Sequence, residues 1–201
     1  MDIVTDSVNR LEETLQHSGC EETGVSLDVD PDAKTCQYER GACMLASFGG
    51  RTAEFVTEEP IRAMTKISFM FGTPLETPNV RSAACAIVNV VTAFFCLNRV
   101  LRACPTGSHA ACLQELAREL EGHRVFCVGD MPALEKALGS AITVNFDDAD
   151  TLIINNEGII DPKAGDLVVR AGEKKRVVFL GPSTAGVCRL QQREHWCPYG
   201  K

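Results

Sequence analysis

The chain has 201 residues, a formal net charge of −7 and ten cysteines. This length fits one domain or two small ones, and such a chain can bury a sizeable core without disulfides. Hydrophobic residues make up 45% and charged residues 23%, which excludes a largely disordered chain. A pI near 5.1 argues against a nucleic-acid partner, because phosphate binding needs a basic surface.

The cysteine content points to a reducing compartment. Disulfide frameworks are typical of short secreted chains, and the N-terminal stretch MDIVTDSVNRLEETL lacks the basic and apolar regions of a signal peptide. No Cys-x-x-Cys pair occurs, so the strongest zinc, iron–sulfur and thioredoxin-like signatures are absent. We expect a cytoplasmic protein from an archaeal or anaerobic source. Because Cys85, Cys96 and Cys127 lie in apolar runs, we interpret them as core residues.

The most apolar segment, residues 83–97, is too short for a membrane span. A span needs about 20 apolar residues, and this run also contains Asn89. We therefore predict a buried helix here and no membrane partner.

The first 75 residues are predicted to form a small α+β part. Apolar residues recur at three- and four-residue steps over 2–17, which predicts an amphipathic helix. Short segments separated by glycine and proline turns over 24–58 predict an antiparallel meander. Residues 59–71 are predicted to form a short helix with Pro60 in its first turn.

Residues 76–201 have the pattern of an α/β part. The predicted elements are a long apolar helix over 80–102 with Asn79 as its N-cap, an amphipathic helix over 109–121, strands over 124–130, 141–146, 150–158 and 174–184, and a helix over 131–139. Continuous apolar strands separated by helices predict a parallel sheet covered on both faces. The predicted fold class is therefore α/β, in which a small antiparallel meander with helices precedes a Rossmann-like three-layer parallel sheet.

Three of the predicted strands end in polar turns that contain glycine. Ligands bind at the carboxyl ends of parallel strands, where these turns would share one edge. Helix capping or an exposed loop would also explain several of the side chains. No Gly-x-Gly-x-x-Gly or P-loop motif occurs, so NAD or nucleoside triphosphate binding has little support. The candidate ligand-binding residues of these turns are Gly129, Asp130, Asn155, Glu157, Gly181, Ser183 and Thr184.

Two further candidates lie on the long apolar helix. Arg81 is near its predicted N-terminus, where the helix dipole already favours anions, and Asn89 lies two turns later. An anionic ligand could be held there; the alternative is a solvated arginine.

Two groups of residues carry side chains that are competent metal ligands. Thiolate and imidazole bind zinc, copper or cobalt. The spacings match no standard metal motif, and thiols in a loop or a packed tail are the alternative. A divalent metal or a metal chelate is the candidate cofactor. The candidate metal ligands are Cys104, His109, Cys112, His195 and Cys197.

Two stretches are similar to a known family. GTPLETPNVRSAACAIVNVV at 72–91 and VVFLGPST at 177–184 resemble, in this order, a family of uncharacterised heavy-metal chelation proteins found in anaerobic bacteria and archaea. The resemblance implies an enolase-N-terminal-like part over 1–75 and a Rossmann-like part over 76–201. It also implies a ligand site between the two parts, near Arg81, Asn89, Ser183 and Thr184.

Three functions follow from these patterns. The leading hypothesis is a protein that binds a small anionic ligand or a metal chelate in the cleft between its two parts. The second is an enzyme of cofactor or metallocofactor metabolism, with Glu157 or Asp130 as acid/base and a cysteine as nucleophile or ligand. The third is a non-catalytic scaffold or assembly subunit. A homodimer is the expected assembly.

Overall fold

The computed structural model describes residues 2–201, which form two four-stranded sheets with helices around them. The first sheet is antiparallel, with strand order β3-β2-β1-β4. Its part of the chain comprises α1 (Ile3–Leu15), β1 (Gly24–Asp30), β2 (Ala42–Phe48), β3 (Arg51–Thr57) and β4 (Ala63–Lys66). The predicted first helix and meander are confirmed.

Local chemistry explains where these elements begin and turn. The Asp2 carboxylate caps α1 by accepting the Thr5 N–H at 2.8 Å, which satisfies one of the free donors at a helix start. The β2–β3 hairpin turns at Gly49 and Gly50, which both have positive φ (55° and 78°). Such a two-residue turn needs left-handed backbone, which glycine adopts without steric cost.

The helix predicted over 59–71 is wrong. Residues Ala63–Lys66 form β4, which pairs with β1, and a short 3-10 helix follows at Ile67–Met70. Burial alternates along β4, and Met64 is 77% exposed. The free edge of β1 offers backbone partners to this segment, and tertiary pairing overrides its weak helical pattern.

The second sheet is parallel, with strand order β5-β6-β7-β8. Its side chains alternate between two buried clusters, so both faces are covered and the predicted three-layer α/β architecture is confirmed. The strands are β5 (Val125–Val128), β6 (Thr151–Ile154), β7 (Arg176–Leu180) and β8 (Glu194–Trp196). The helices of this half are α2 (Pro78–Phe94), α3 (His109–Glu119), α4 (Pro132–Leu138), α5 (Asn156–Ile160), α6 (Ala164–Ala171) and α7 (Ala185–Gln191).

The strand predicted over 141–146 does not form. Its contribution to the sheet is one parallel bridge between Ile142 and Val125. Val144 is 96% exposed, and the Asn145 side chain accepts the Asp147 N–H at 3.1 Å, which favours a turn. Without this strand, the described parallel strands lie in the sheet in the same order as in the chain, with no point at which the direction of the connections reverses.

Helix α2 lies between the two sheets, in contact with β2 and β3 on one side and α7 on the other. Its N-cap position is Thr77 rather than Asn79, with no side-chain capping bond, and the helix ends at Phe94, eight residues earlier than predicted. The chain turns at Cys96, whose φ is 57°, and this side chain is exposed. Cys96 is therefore not a core residue. None of the helices formed by residues 2–201 is long and apolar enough to cross a membrane.

Candidate functional site

The turns after β5, β6 and β7 share one edge of the parallel sheet, because these strands are parallel neighbours. Two segments of the antiparallel part, residues 36–41 and 54–57, cover this edge. We call this contact the seam. It lies where the sequence predicts a ligand, and it is filled by the chain itself.

The seam provides hydrogen-bond partners for the backbone groups on the free edge of β3. The Val56 N–H donates to Ser183 Oγ at 2.9 Å, and the Val56 carbonyl accepts from Asn156 Nδ2 at 2.8 Å. The Glu54 carbonyl accepts from Asn89 Nδ2 at 3.3 Å. Unpaired backbone groups of a buried edge strand are costly, so these side chains replace a missing strand. Ser183 and Asn89 thus hold the two sheets together.

Asn155 is fully buried and makes contacts in both parts of the chain. Its Oδ1 accepts the Gly158 N–H at 3.0 Å and so caps α5, while Nδ2 donates to the carbonyls of Tyr38 and Asp130 at 2.9 and 3.1 Å. Gly129 has a φ of 96°, and a Cβ there would overlap the Asn155 side chain. Asn155 therefore lies at the predicted edge, but it is a buried link between the two parts and not a residue of an exposed loop.

The two predicted acid/base residues lie at the rim of the seam. Glu157 Oε2 accepts the Asp130 N–H at 2.9 Å. The Asp130 carboxylate forms a half-exposed ion pair with Arg40 at 3.0 Å. Thr184 is buried, and its hydroxyl donates to the Gly181 carbonyl at 2.9 Å.

Arg81 is 3% exposed and anchors the start of α2. Its guanidinium pairs with Asp2 at 2.7 Å and donates to the carbonyls of Ile160 and Leu75 at 2.5 and 3.2 Å. The alternative of a solvated arginine is excluded, and these donors are directed at protein groups.

Sequence reasoning missed Glu39, the most unusual side chain of the seam. It is 5% exposed, its Oε1 accepts the Ser183 N–H at 2.9 Å, and within residues 2–201 its Oε2 has no hydrogen-bond partner. Burial raises its pKa to about 8, so the carboxyl is largely protonated at neutral pH. A Cβ at Gly181 would lie 2.5 Å from Oε1, so glycine makes room for this carboxyl. No periodicity or motif in its loop marks Glu39 as buried.

Four thiols lie beside the seam. Burial raises the pKa of Cys36, Cys104 and Cys197, and neighbouring thiols add to it: Cys197 and Cys104 act on Cys36, Cys104 and Cys112 act on Cys197, and Cys112 acts on Cys104. Burial raises the pKa of Cys197 to about 12, so this thiol is protonated and a poor nucleophile at neutral pH. The structure thus brings together three predicted metal ligands and adds Cys36.

The two predicted histidine ligands do not join these thiols in a metal centre. His195 Nε2 lies 2.9 Å from the Gly181 carbonyl, and burial lowers the pKa of this imidazole. The buried Nε2 of His109 has no partner in the described chain. Across residues 2–201, no three histidine, cysteine, aspartate or glutamate side chains are arranged to hold a metal ion.

An open cleft lies elsewhere, between α1 and α7. Helix α7 runs from the carboxyl edge of the parallel sheet towards its amino edge, where β8 begins. A depression of about 610 Å³ lies beside its last turn, between the two parts of the chain. Arg10, Arg189 and Arg193 line it, together with Glu13 and Leu97. We call it the arginine cleft.

The arginines of this cleft differ in their partners. Arg10 is held by the Asp6 carboxylate at 2.8 Å and the Leu190 carbonyl at 3.3 Å. Arg189 and Arg193 are exposed, and no carboxylate of the described residues lies within ion-pair distance of either. Arg10 is remote in sequence from Arg189 and Arg193, and the packing of α1 on α7 brings it to them. Sequence patterns therefore carried no signal for this site.

Comparisons with known proteins support the fold. No protein-family model matches the chain, and no characterised protein matches it in sequence. A protein of unknown function from the DUF364 family of Desulfitobacterium hafniense has a similar structure, with a TM-score of 0.53 and 15% identity over 94% of this chain and 81% of its own. A DUF364 protein of unknown function from Pyrococcus horikoshii has a TM-score of 0.48 and 13% identity, over 90% of this chain and 79% of its own. The first likeness supports the two-part α/β fold.

Proposed function

We propose that the protein binds a small anionic molecule in the arginine cleft. The observation that carries this proposal is the convergence of three guanidinium groups on a chain with a net charge of −7, two of them without an acidic partner in the described residues. The volume of about 610 Å³ falls within the range of small-molecule sites. The arginine cleft is not the predicted cleft near Arg81, Asn89 and Ser183, because it lies at the opposite end of the sheet and none of the predicted residues lines it.

The chemistry of arginine favours phosphate or carboxylate as the bound group. A guanidinium presents a planar fork of donors that matches two oxygens of either anion, and such charge-assisted bonds are stronger than neutral ones. Arg10 is held in place by Asp6, whereas Arg189 and Arg193 are free to close on a ligand. Because the latter two are exposed, salt should weaken the binding.

Calorimetric titration with inorganic phosphate and with citrate tests this proposal. We expect saturable binding of at least one anion, and we expect the double variant Arg189→Ala/Arg193→Ala to lose roughly tenfold or more in affinity. Arg124→Ala is the matched control, since Arg124 is an exposed arginine outside the cleft. Binding that survives the double variant, or that is lost equally in the control, would contradict the proposal.

A second candidate is a metal chelate held at the four thiols beside the seam. It is favoured by the proximity of Cys36, Cys104, Cys112 and Cys197. Because three protein donors do not converge in residues 2–201, a chelate that brings its own ligands fits better than a bare ion. Titration with zinc-nitrilotriacetate against the wild type and Cys197→Ser tests it, and unchanged binding by the variant would count against these thiols. The cytoplasmic location and the homodimer remain predictions.

A further inference from the structure

A second, smaller depression adjoins the arginine cleft. It has a volume of about 270 Å³ and is lined by Arg51 and Arg99, together with Cys96 and Asn98. Both arginines are exposed, and neither has an ion-pair partner among residues 2–201. Two neighbouring depressions on an acidic chain are therefore both lined by free guanidinium groups.

One tight turn of the chain separates the two depressions. Leu97 lines the arginine cleft, whereas Cys96 and Asn98 line the smaller one. The turn is held by bonds from the Leu97 N–H to the Thr92 carbonyl at 2.8 Å and from Asn98 Nδ2 to the Val100 carbonyl at 3.0 Å. The two depressions therefore lie on either side of a single hydrogen-bonded turn, because consecutive residues of this turn line both of them.

Resting on the proposed function, we infer that the ligand is an elongated oligoanion, of which an oligophosphate chain is the simplest form, bound across both depressions. Five guanidinium groups face the two depressions, whereas Glu13 is the acidic residue that lines them within the described chain. Their mutual repulsion is relieved by a ligand with several charges. A ligand with linked anionic groups also gains affinity because its second contact is intramolecular.

Titration with phosphate chains of increasing length tests this inference. The probes are orthophosphate, tripolyphosphate and longer linear polyphosphate at fixed ionic strength, measured on the wild type and on Arg51→Ala/Arg99→Ala. We expect the wild type to bind the longer chains at least tenfold more tightly than orthophosphate. The variant should lose at least tenfold in affinity for the longer chains and bind orthophosphate as the wild type does.

The outcomes separate this inference from the proposed function. If affinity rises with chain length equally in the wild type and in Arg51→Ala/Arg99→Ala, the smaller depression takes no part and the inference is overturned. If neither orthophosphate nor any chain binds the wild type, the proposed function fails first. Circular dichroism and thermal unfolding verify that the variant is folded, and Arg124→Ala controls for the loss of positive charge.

Discussion

The two ends of the parallel sheet differ in a way that the strand pattern does not reveal. The carboxyl end, where polar turns predict a ligand, is closed by the antiparallel part, and its side chains are hydrogen-bonded to that part. The other end carries an open cleft with three arginines. Polar residues at strand ends thus serve here as the contact between two sheets, and unpaired charge accumulates at the opposite end.

The strand order gives one reason for this difference. Open α/β sheets bind ligands in a crevice where the strand order reverses. The described strands run β5-β6-β7-β8 without reversal, so the connections do not diverge to form such a crevice. The edge of β3 also needs partners, and the turns after β6 and β7 supply them.

The largest effect that would distinguish the two ends is expected from Asn89→Ala. This side chain donates to the carbonyls of Ser183 and Glu54 and accepts the Gly186 N–H at 2.8 Å. Its loss leaves buried backbone groups unpaired, and we expect about 3 kcal/mol less stability in urea unfolding. Asn9→Ala, on the exposed face of α1, is the control and should change stability by under about 0.5 kcal/mol. Equal losses of stability in Asn89→Ala and Asn9→Ala would mean that the hydrogen bonds of Asn89 do not stabilise the seam.

The pH dependence of stability should report on Glu39. In the unfolded chain its pKa is the ordinary 4.5, whereas burial raises it to about 8 in the fold, so the folded state binds more protons between these values. The stability that the neutral Glu39 carboxyl contributes is complete below pH 4.5 and is lost as pH rises through about 8.

Glu39→Gln tests this dependence, because glutamine does not titrate. We expect unfolding curves measured from pH 5 to pH 9 to fall more steeply for the wild type than for this variant. The exposed Glu58→Gln provides the comparison and should keep the wild-type slope. Parallel curves for wild type and Glu39→Gln would show that the carboxyl is not buried in a neutral form.

The arginine cleft should respond in the opposite way to mutation. Arg189→Ala/Arg193→Ala removes two exposed side chains, so we expect stability to change by under about 0.5 kcal/mol per site while phosphate affinity falls. Raising the salt concentration from 0.05 to 0.5 M should weaken the wild-type binding, because exposed charges are screened. Thermal unfolding and calorimetry on the same samples measure both. A large loss of stability in the double variant would assign these arginines to packing.

The smallest effect is expected at the rim of the seam. Arg40 and Asp130 form an ion pair in which both side chains are 51% exposed. Such pairs contribute about 0–1 kcal/mol, so Arg40→Ala should shift urea unfolding only slightly. The backbone carbonyl of Arg40 keeps its bond to Asn156 in this variant. A loss comparable to that of Asn89→Ala would mean that the rim, too, holds the seam closed.

Prediction from sequence succeeded where a local pattern decides the structure. The amphipathic spacing of α1 marks a helix that buries one face. The apolar runs of β5, β6 and β7 mark strands that are covered on both faces. It failed at residues 59–71 and 141–146, where a neighbouring strand edge or a side-chain turn overrides a weak propensity. Cys96 lies in an apolar run but follows the end of α2, so its exposure depends on where the helix stops.

The sequence by itself therefore determined the two-part α/β plan, the parallel sheet and the common edge of the turns that contain Asp130, Asn155 and Ser183. Periodicity and turn chemistry act over a few residues, and the secondary structure that defines this plan depends on no longer-range information. Tertiary structure alone decided that this edge is closed, that Glu39 is buried there and that Arg10 meets Arg189 and Arg193. Each of these depends on contacts between residues more than 100 positions apart, which no local pattern encodes.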